Sequence, residues 1–191
     1  VYDGTKTANV SGTANISGKL ATDKLTVTTG TASFADKNAG ENKTVTFTGY
    51  ALSGAAAGNY ELSAQPASVT ANITQKELTA GAGTLKFTKE YNGKTDVTNS
   101  TKTGELTLTE VVSGDTVSIA NGYAAAYADA NAGENNKDVN LIGLTLTGTD
   151  AGNYKLKETN LTVTGNSITK ATWTKTTASS SAKYGTTGTL N

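Results

Sequence analysis

The chain of 191 residues contains no cysteine, methionine, histidine or arginine, and it has one proline and one tryptophan. Without cysteine it can form no disulfide, thiol nucleophile or cysteine–zinc site. Without histidine as well, a catalytic nucleophile would need a lysine or a carboxylate as its base. These absences predict a protein that is not an enzyme and that holds no cofactor.

The charged residues balance, with 16 lysines against 16 acidic residues. No basic stripe is present. A chain with lysine but no arginine is poorly suited to recognise the phosphates and bases of nucleic acids. No apolar run approaches the length of a membrane span, and no signal peptide is visible. We therefore expect neither nucleic-acid binding nor membrane insertion. The lack of oxidisable methionine and cysteine suits an extracellular setting.

Hydrophobic residues make up 36% of the chain and aromatic residues 6%, which is low for a globular protein. Disorder is the first alternative. However, the apolar residues alternate regularly with threonine, a β-branched residue that fits a half-exposed pleated surface. The pattern therefore predicts β-strands around thin cores.

An internal repeat organises the chain. The motif Ala-Gly-Asn-Tyr ends at Tyr60 and again at Tyr154. Five segments recur in all, and their matched first residues are Tyr2 and Tyr91, Asp23 and Asp115, Phe34 and Tyr127, Val45 and Val139, and Ile73 and Ile168. The offset grows from 89 to 95 residues along the chain, as expected when insertions fall in loops.

We predict three tandem units from this alignment. A first repeat covers residues 1–76, for which a missing first strand stays open, a second covers residues 77–170, and a third begins in residues 171–191. The chain starts on VYDG and stops on YGTTGTLN, so we expect both ends to be cuts through a longer protein. Each repeat is expected to fold as a self-contained unit.

Short strands within about 90 residues per copy predict tandem immunoglobulin-like β-sandwiches in an elongated array. The apolar phase changes by one residue at Gly49 and at Gly143, which indicates a bulge or a strand bend. The alternative is a β-grasp fold. It would require a helix, best placed in the alanine-rich stretch of residues 123–133.

The repeated Gly-Asn-Tyr motif resembles the tyrosine corner of immunoglobulin-like domains, where a tyrosine hydroxyl binds nearby backbone. The resemblance assigns structural roles to six residues, Gly58, Asn59, Tyr60, Gly152, Asn153 and Tyr154. Leu62 and Leu156 take the place of the buried cysteine of those domains. We expect replacement of either tyrosine to destabilise its own repeat only.

The segments VYDGTKTA, FADKNAGENKTVTFTGYALSGAAAGNYEL and ANITQKELT resemble the YDG-type repeats of large bacterial surface proteins, neighbours of the MBG repeats. Such repeats are common in filamentous-haemagglutinin-like adhesins. The resemblance implies a non-enzymatic stalk or adhesion repeat at the bacterial cell surface or in a biofilm. Asn92 stands where the first copy has Asp3, so this acid is not expected to do chemistry.

Two similar loops carry the oxygen ligands that calcium prefers. The candidates are Asp36, Asn38 and Glu41 in the first loop and Asp129, Asn131 and Glu134 in the second. The spacing does not match an EF-hand, and these residue types are also the ones that turns favour. We therefore expect two turns and no metal.

The join between the repeats is short and lacks glycine and proline, from Thr74 to Glu77, which predicts a semi-rigid rod. Trp173 is expected to pack in a core or a junction, and Tyr123 is the one aromatic residue expected on the surface. The expected partners are neighbouring repeats of the same chain. Alternatively, the repeats themselves bind cell-surface glycans, host proteins or other copies.

Overall fold

The structure is a computed structural model that describes residues 1–12 and 14–174. Over these residues the regular structure is β-strand apart from two 3₁₀ turns, at Ala57–Asn59 and Ala151–Asn153. The all-β class predicted from the sequence is confirmed. The described part of the chain includes no helix long and apolar enough for a membrane span.

The first repeat contributes five strands, β1 (Thr26–Thr28), β2 (Thr31–Phe34), β3 (Gly40–Thr48), β4 (Ala51–Ser53) and β5 (Val69–Ile73). Strands β2, β3 and β5 form one antiparallel sheet, with β3 in the centre. Strands β1 and β4 form a separate antiparallel pair.

The second repeat is richer in strands. Its first five are β6 (Lys76–Gly81), β7 (Lys86–Glu90), β8 (Thr101–Thr103), β9 (Thr107–Thr109) and β10 (Ser118–Ile119). The remaining five are β11 (Ala124–Tyr127), β12 (Gly133–Ile142), β13 (Leu146–Thr147), β14 (Tyr154–Leu156) and β15 (Asn160–Thr169).

These ten strands form two layers. One is a five-stranded sheet in the order β11-β12-β15-β7-β8, in which β15 and β7 run parallel. The other contains the sheet β14-β6-β9 and the pair β10-β13. Strand β9 also lies beside β10, and β13 lies beside β14, so the sheet and the pair adjoin each other.

Two hydrophobic clusters form the core of the described residues. The first belongs to the second repeat alone, and its fully buried members are Leu85, Phe87, Tyr127, Val139, Leu141, Leu144, Val163 and Ile168. The second cluster draws on both repeats, with Tyr2 and Ile73 beside Leu78 and Tyr154. The prediction of fully self-contained repeats is therefore wrong for this second cluster, since side chains of the first repeat complete it.

The phase change at the two glycines is a strand bend. Gly49 and Gly143 both have φ of 77°, a left-handed conformation that glycine adopts without strain. Before the bend, β3 and β12 pair within the larger sheets, and after it β4 and β13 pair with β1 and β10. The bend thus carries the chain from one layer to the other.

The alanine-rich stretch of residues 123–133 forms a strand and a turn. Ala125 packs against the core and Tyr127 is buried, whereas Ala124 and Ala126 are exposed. This alternation has the period of two that a strand requires. The helix that a β-grasp would place here does not form.

The second repeat has strands that the first lacks. In the second repeat, β8 pairs with β7 and β9 pairs with β6. The first repeat has no counterpart of β6 or β7 among its described residues, and the segment around Val10 and Ile16 accordingly forms no strand. A cleft of about 490 Å³ lies between residues 1–11 on one side and strands β3 and β5 on the other.

Candidate functional site: the junction between the repeats

A short link joins the two repeats. Strand β5 ends at Ile73 and β6 begins at Lys76, so only Thr74 and Gln75 separate them. The Tyr2 backbone N–H donates to Thr74 O at 2.8 Å, which fixes the start of the chain beside this link. The Gln75 side chain donates to Gly152 O of the second repeat at 2.9 Å. The link is therefore held on both sides.

Tyr2 crosses the junction with its side chain. Its ring meets the ring of Tyr154 edge to face, with centroids 5.3 Å apart and planes at 77°. This geometry suits the positive edge and negative face of aromatic rings. Tyr2 and Tyr154 are each only 2% exposed. A residue of the first repeat thus occupies a core position of the second.

Asp115 connects the polar ends of these rings. Its Oδ2 accepts a hydrogen bond from the Tyr154 hydroxyl at 2.6 Å and another from the Tyr2 hydroxyl at 2.7 Å. Its Oδ1 accepts from Lys37 Nζ at 2.9 Å. The Asp115 side chain is 3% exposed, so one buried carboxylate binds three donors, two of which come from the other repeat.

Protonation of this cluster is held in one state at neutral pH. Burial by itself would raise the pKa of Asp115, but the hydrogen bonds from the two tyrosines and the lysine outweigh burial and lower that pKa. Burial, and then the hydrogen bond to Asp115, raise the pKa of Tyr154 to about 12. The pKa of Tyr2 is raised by the same causes. The carboxylate is therefore charged while both phenols are neutral.

Both tyrosine corners have the same hydrogen bonds within their own repeat. Tyr154 Oη accepts from Val112 N at 3.0 Å and donates to Asp115. Tyr60 Oη accepts from Leu20 N at 3.1 Å and donates to Asp23 Oδ2 at 2.7 Å. The backbone partner lies about forty residues upstream, much farther along the chain than in immunoglobulin domains.

The asparagines before these tyrosines differ in their contacts. Asn153 is 5% exposed, its Oδ1 accepts from Ala39 N at 2.8 Å, and its Nδ2 donates to Asn38 Oδ1 at 3.3 Å. Asn59 is exposed, and its side chain has no hydrogen bond within residues 1–12 and 14–174. The asparagine of the second repeat is therefore a junction residue, and its counterpart in the first repeat faces solvent.

The glycines of the two motifs are not required by backbone geometry. A Cβ added at Gly58 or at Gly152 would meet nothing within 4 Å. The conformational requirement lies four residues earlier, at Gly54 with φ of 103° and at Gly148 with φ of 117°. There an added Cβ would collide with the carbonyl oxygens of Lys24 and Thr116, respectively. The structural role predicted for Gly58 and Gly152 thus belongs to Gly54 and Gly148.

The two acidic loops form turns with a lysine counter-ion. Asp36 Oδ1 accepts from Asn38 N at 2.8 Å and from Lys43 Nζ at 2.6 Å. In the second loop, Asp129 Oδ1 accepts from Asn131 N and from Lys137 Nζ, both at 2.8 Å.

The lysine hydrogen bond is the largest cause of the lowered pKa of each of these aspartates. Glu41 and Glu134 lie in the strands that follow, on β3 and β12. No group of three acidic side chains placed to hold a metal ion occurs in the described chain.

Several side chains lie elsewhere than predicted. Trp173 is 82% exposed and packs in no described core, whereas Tyr123 is half-buried against the first cluster. Tyr91 is instead a surface aromatic residue, 43% exposed. Leu156 contacts both clusters, but Leu62 is 40% exposed because no strand equivalent to β6 covers it.

The exchange of Asp3 for Asn92 has a structural reason. Asp3 Oδ1 accepts from Thr5 N at 2.8 Å, and Asn92 Oδ1 accepts from Lys94 N at 3.0 Å. Either side chain can close this turn through its oxygen. The turn therefore needs an acceptor and not a charge.

Sequence reasoning missed the roles of Asp115 and Tyr2. The alignment pairs them with Asp23 and Tyr91 but assigns neither residue a contact with the other repeat. The available signal was that this aspartate and this tyrosine recur in both copies. The contact itself joins residues 113 positions apart, which no local pattern can show.

The comparisons with known proteins give one family. The model described as "YDG domain" matches residues 1–68 and again residues 74–163. No curated protein and no solved structure matches the chain. The family match covers both tyrosine corners and both partners of the junction.

Proposed function

Because the chain belongs to the YDG domain family, we propose that its repeats are non-enzymatic stalk or spacer modules of a bacterial surface or biofilm adhesin. In this role they lie outside the cell and hold a binding region away from it. The adhesin is of the filamentous-haemagglutinin-like type, and the repeats are related to MBG repeats.

The observation that supports a spacer is the fixed junction. A spacer must transmit orientation, so neighbouring modules must not rotate freely about their link. Here Tyr2 and Lys37 of the first repeat both bind Asp115, and the link between β5 and β6 is two residues long. A ten-residue strand such as β12 spans about 33 Å, so stacked repeats of this size extend a binding region efficiently.

A distance measurement between the repeats tests this proposal. Spin labels on one exposed residue of each repeat should give a narrow distance distribution in the intact chain. Replacing Tyr2→Ala and Lys37→Ala should broaden it, because both side-chain contacts with Asp115 are lost. Tyr91→Ala is the matched control, since the equivalent tyrosine contacts no further repeat in the described structure, and it should leave the distribution narrow. A broad distribution in the unmodified chain would contradict a spacer.

The extracellular location is a separate proposal with its own test. Antibodies against this chain should label intact cells of the source bacterium as strongly as permeabilised cells. Labelling that requires permeabilisation would place the protein inside and contradict the surface role.

We also propose that each repeat is a variant of the immunoglobulin-like sandwich, arranged in tandem. Two observations support this fold. Two layers pack across the first cluster, and the early strand β7 pairs in parallel with the last strand β15. Backbone NMR chemical shifts of the second repeat in solution test it, and helical shifts over residues 123–133 would contradict it.

A second candidate function is glycan binding by the repeats themselves. Exposed aromatic rings favour it, because Trp173 and Tyr91 offer flat apolar faces to a sugar. A glycan array with this chain and with its Trp173→Ala variant tests the idea. Specific binding that depends on Trp173 would support glycan binding. If neither protein binds any glycan, this second function is contradicted and the spacer role remains.

A further inference from the structure

The second repeat holds its early strand β7 against its last strand β15 inside the five-stranded sheet. The two strands run parallel to each other over three pairs of residues, which are Thr88 with Ser167, Lys89 with Ile168 and Glu90 with Thr169. The link between the repeats leads into β7 through β6, and the chain leaves this sheet at the end of β15. The two strands that carry the chain into and out of the sheet are therefore direct neighbours.

The parallel direction of this pair determines how tension acts on it. Tension along the chain pulls β7 from its amino end and β15 from its carboxyl end. In a parallel pair these two points lie at opposite ends of the ladder. The force therefore slides one strand along the other, and all the hydrogen bonds between them are loaded together. In an antiparallel pair the pulled points would lie side by side, and the bonds would break one after another.

Hydrogen bonds outside the regular ladder join the same two strands. Phe87 N donates to Asn166 Oδ1 at 2.9 Å, and Tyr91 N donates to Thr169 O at 2.9 Å. The Thr169 hydroxyl donates to Lys89 O at 3.3 Å. These bonds extend the contact beyond both ends of the three-residue ladder, so more bonds must break before the strands can slide.

The pair is also shielded from water. Phe87 and Lys89 are each 4% exposed, Asn166 is 1% exposed and Ile168 is fully buried. Where water is excluded, a donor or acceptor that loses its partner finds no replacement at once, and its separation costs more. Burial therefore raises the resistance of this pair to shear.

The neighbouring strands show why the resistance is set at this pair. On its other side β15 is held by the longer strand β12, whose ladder extends from Gly133 to Ile142, so β7 separates from β15 first. Strand β6 is loaded before β7, and it has two ladders of three residues, as β7 has. Beyond its ladders, β6 makes one backbone bond, from Lys157 N to Leu78 O, against the three bonds that join β7 to β15. The highest force is therefore needed at β7 and β15.

We propose that the pair of β7 and β15, which we call the clamp, gives the second repeat a mechanical function: it keeps the repeat folded while tension acts along the chain. Forced unfolding is governed by the rate of unfolding and not by the equilibrium stability, so the clamp acts through that rate. This function is distinct from the spacer role, because a fixed orientation between repeats does not require resistance to tension.

Pulling the same chain in two directions tests the clamp. The chain has no cysteine of its own, so introduced cysteines are unique attachment points for optical tweezers. Thr74→Cys with Lys170→Cys loads the clamp in shear, whereas Lys94→Cys with Lys170→Cys pulls its two strands apart from one end. All three side chains are exposed, so both proteins are expected to melt at the temperature of the parent chain.

Unfolding at a given force is expected to be at least about tenfold slower in the shear direction, because several hydrogen bonds must break together. Equal rates in the two directions would overturn the proposal.

Two threonines of β15 provide matched variants for the shear direction. Thr169→Val removes the hydroxyl bond to Lys89 O across the clamp, and Thr162→Val removes the hydroxyl bond to Asn140 Oδ1 of β12. Thr169→Val is expected to speed unfolding at constant force about fivefold, as the loss of one hydrogen bond predicts. Thr162→Val is expected to leave the rate unchanged.

If Thr162→Val speeds unfolding as much as Thr169→Val does, the load is borne between β12 and β15 and the clamp is contradicted. A Thr169→Val variant that unfolds at the parent's rate would contradict it as well. None of these results concerns the orientation of the repeats, which the spin-label distances measure separately.

Discussion

At the scale of single residues, the junction depends on one carboxylate. Asp115 accepts hydrogen bonds from Tyr2, Tyr154 and Lys37, whereas Asp23 in the first repeat accepts one from Tyr60 and none from another repeat. The two aspartates occupy equivalent positions in the two repeats. They differ because only Asp115 accepts hydrogen bonds from the other repeat.

We expect Asp115→Asn to lower the free energy of unfolding by about 2–3 kcal/mol, since hydrogen bonds to a buried charged acceptor are among the stronger ones. Asp23→Asn should cost about 1 kcal/mol, because it weakens the hydrogen bond from Tyr60 at a more exposed site. Denaturant titration of both variants measures the difference. Equal losses would mean that the contacts across the junction add nothing.

The tyrosines of the junction predict sensitivity to alkali. Tyrosine in an unfolded chain has a pKa of about 10, and in the folded protein the pKa of Tyr154 is raised to about 12. The unfolded state therefore loses its proton first as the pH rises. The stability due to the neutral phenol is complete below pH 10 and is lost between pH 10 and about 12.

Chemical denaturation at several alkaline pH values, with tyrosinate absorbance followed in parallel, checks this expectation. The variant Tyr154→Phe should show a flatter dependence on pH over the same range. A parent chain whose stability does not change above pH 10 would contradict the assignment.

The contact between Tyr2 and Tyr154 changes what we expect when either corner tyrosine is replaced. Tyr154→Ala removes the ring that covers Tyr2, so it should also loosen the first repeat, contrary to the expectation from the repeat pattern. Tyr60→Ala removes a ring that touches no other repeat in the described structure and should affect its own repeat only. Amide hydrogen exchange, read separately for each repeat, distinguishes the two effects.

At the scale of strands and turns, local patterns were sufficient for much of the fold. The alternation of apolar residues with threonine predicts β-strands, and the phase change at Gly49 and Gly143 predicts a bulge or a bend, of which the structure has the bend. The repeated Gly-Asn-Tyr motif identified both tyrosine corners. These features depend on neighbours within a few residues, which a sequence pattern displays directly.

Features that depend on distant partners were not predictable in this way. The pattern gave no sign that β14 pairs with β6, although it left open that the first repeat lacks its first strand. The exposure of Leu62 follows from the lack of a β6 counterpart among the described residues of the first repeat. Composition likewise assigned Tyr123 to the surface, although it packs against the first cluster.

The turn before the second corner predicts a specific glycine requirement. Gly148→Ala should lower the free energy of unfolding by about 1–3 kcal/mol, because φ there is 117° and an added Cβ would meet Thr116 O. Gly152→Ala is the control within the same turn and should cost under about 1 kcal/mol, since open space surrounds its Cβ position. Thermal melts of the two variants check the order. A larger loss at Gly152 would contradict it.

At the scale of the whole molecule, the two repeats are unequal. Six residues of the first cluster have counterparts in the first repeat, namely Phe34, Val45, Phe47, Tyr50, Val69 and Ile73. Leu85 and Phe87 have none. Val69 is consequently 50% exposed, whereas Val163 is fully buried. The first repeat therefore depends on its neighbour more than the second does.

Separate expression of the repeats checks this inequality. Residues 74–174 should fold cooperatively, because they contain the whole first cluster. Residues 1–76 alone should melt at a lower temperature or without a cooperative transition, since their core lacks the side chains of β6 and β7. Circular dichroism melts of the two fragments give the answer. If the first repeat melts at the same temperature as the second, the cleft beside β5 does not lower its stability, and the prediction is wrong.

The placement of Tyr2 on one side of a repeat and of the Asp115 corner on the other has a consequence for the gene. A repeat that carries both the tyrosine and the aspartate of this junction can pair through them with a neighbour of the same kind. The copies still differ at the junction, since Ala130 stands where the first copy has Lys37. Unequal recombination between repeats can therefore lengthen or shorten the array while each junction keeps its tyrosine and its aspartate.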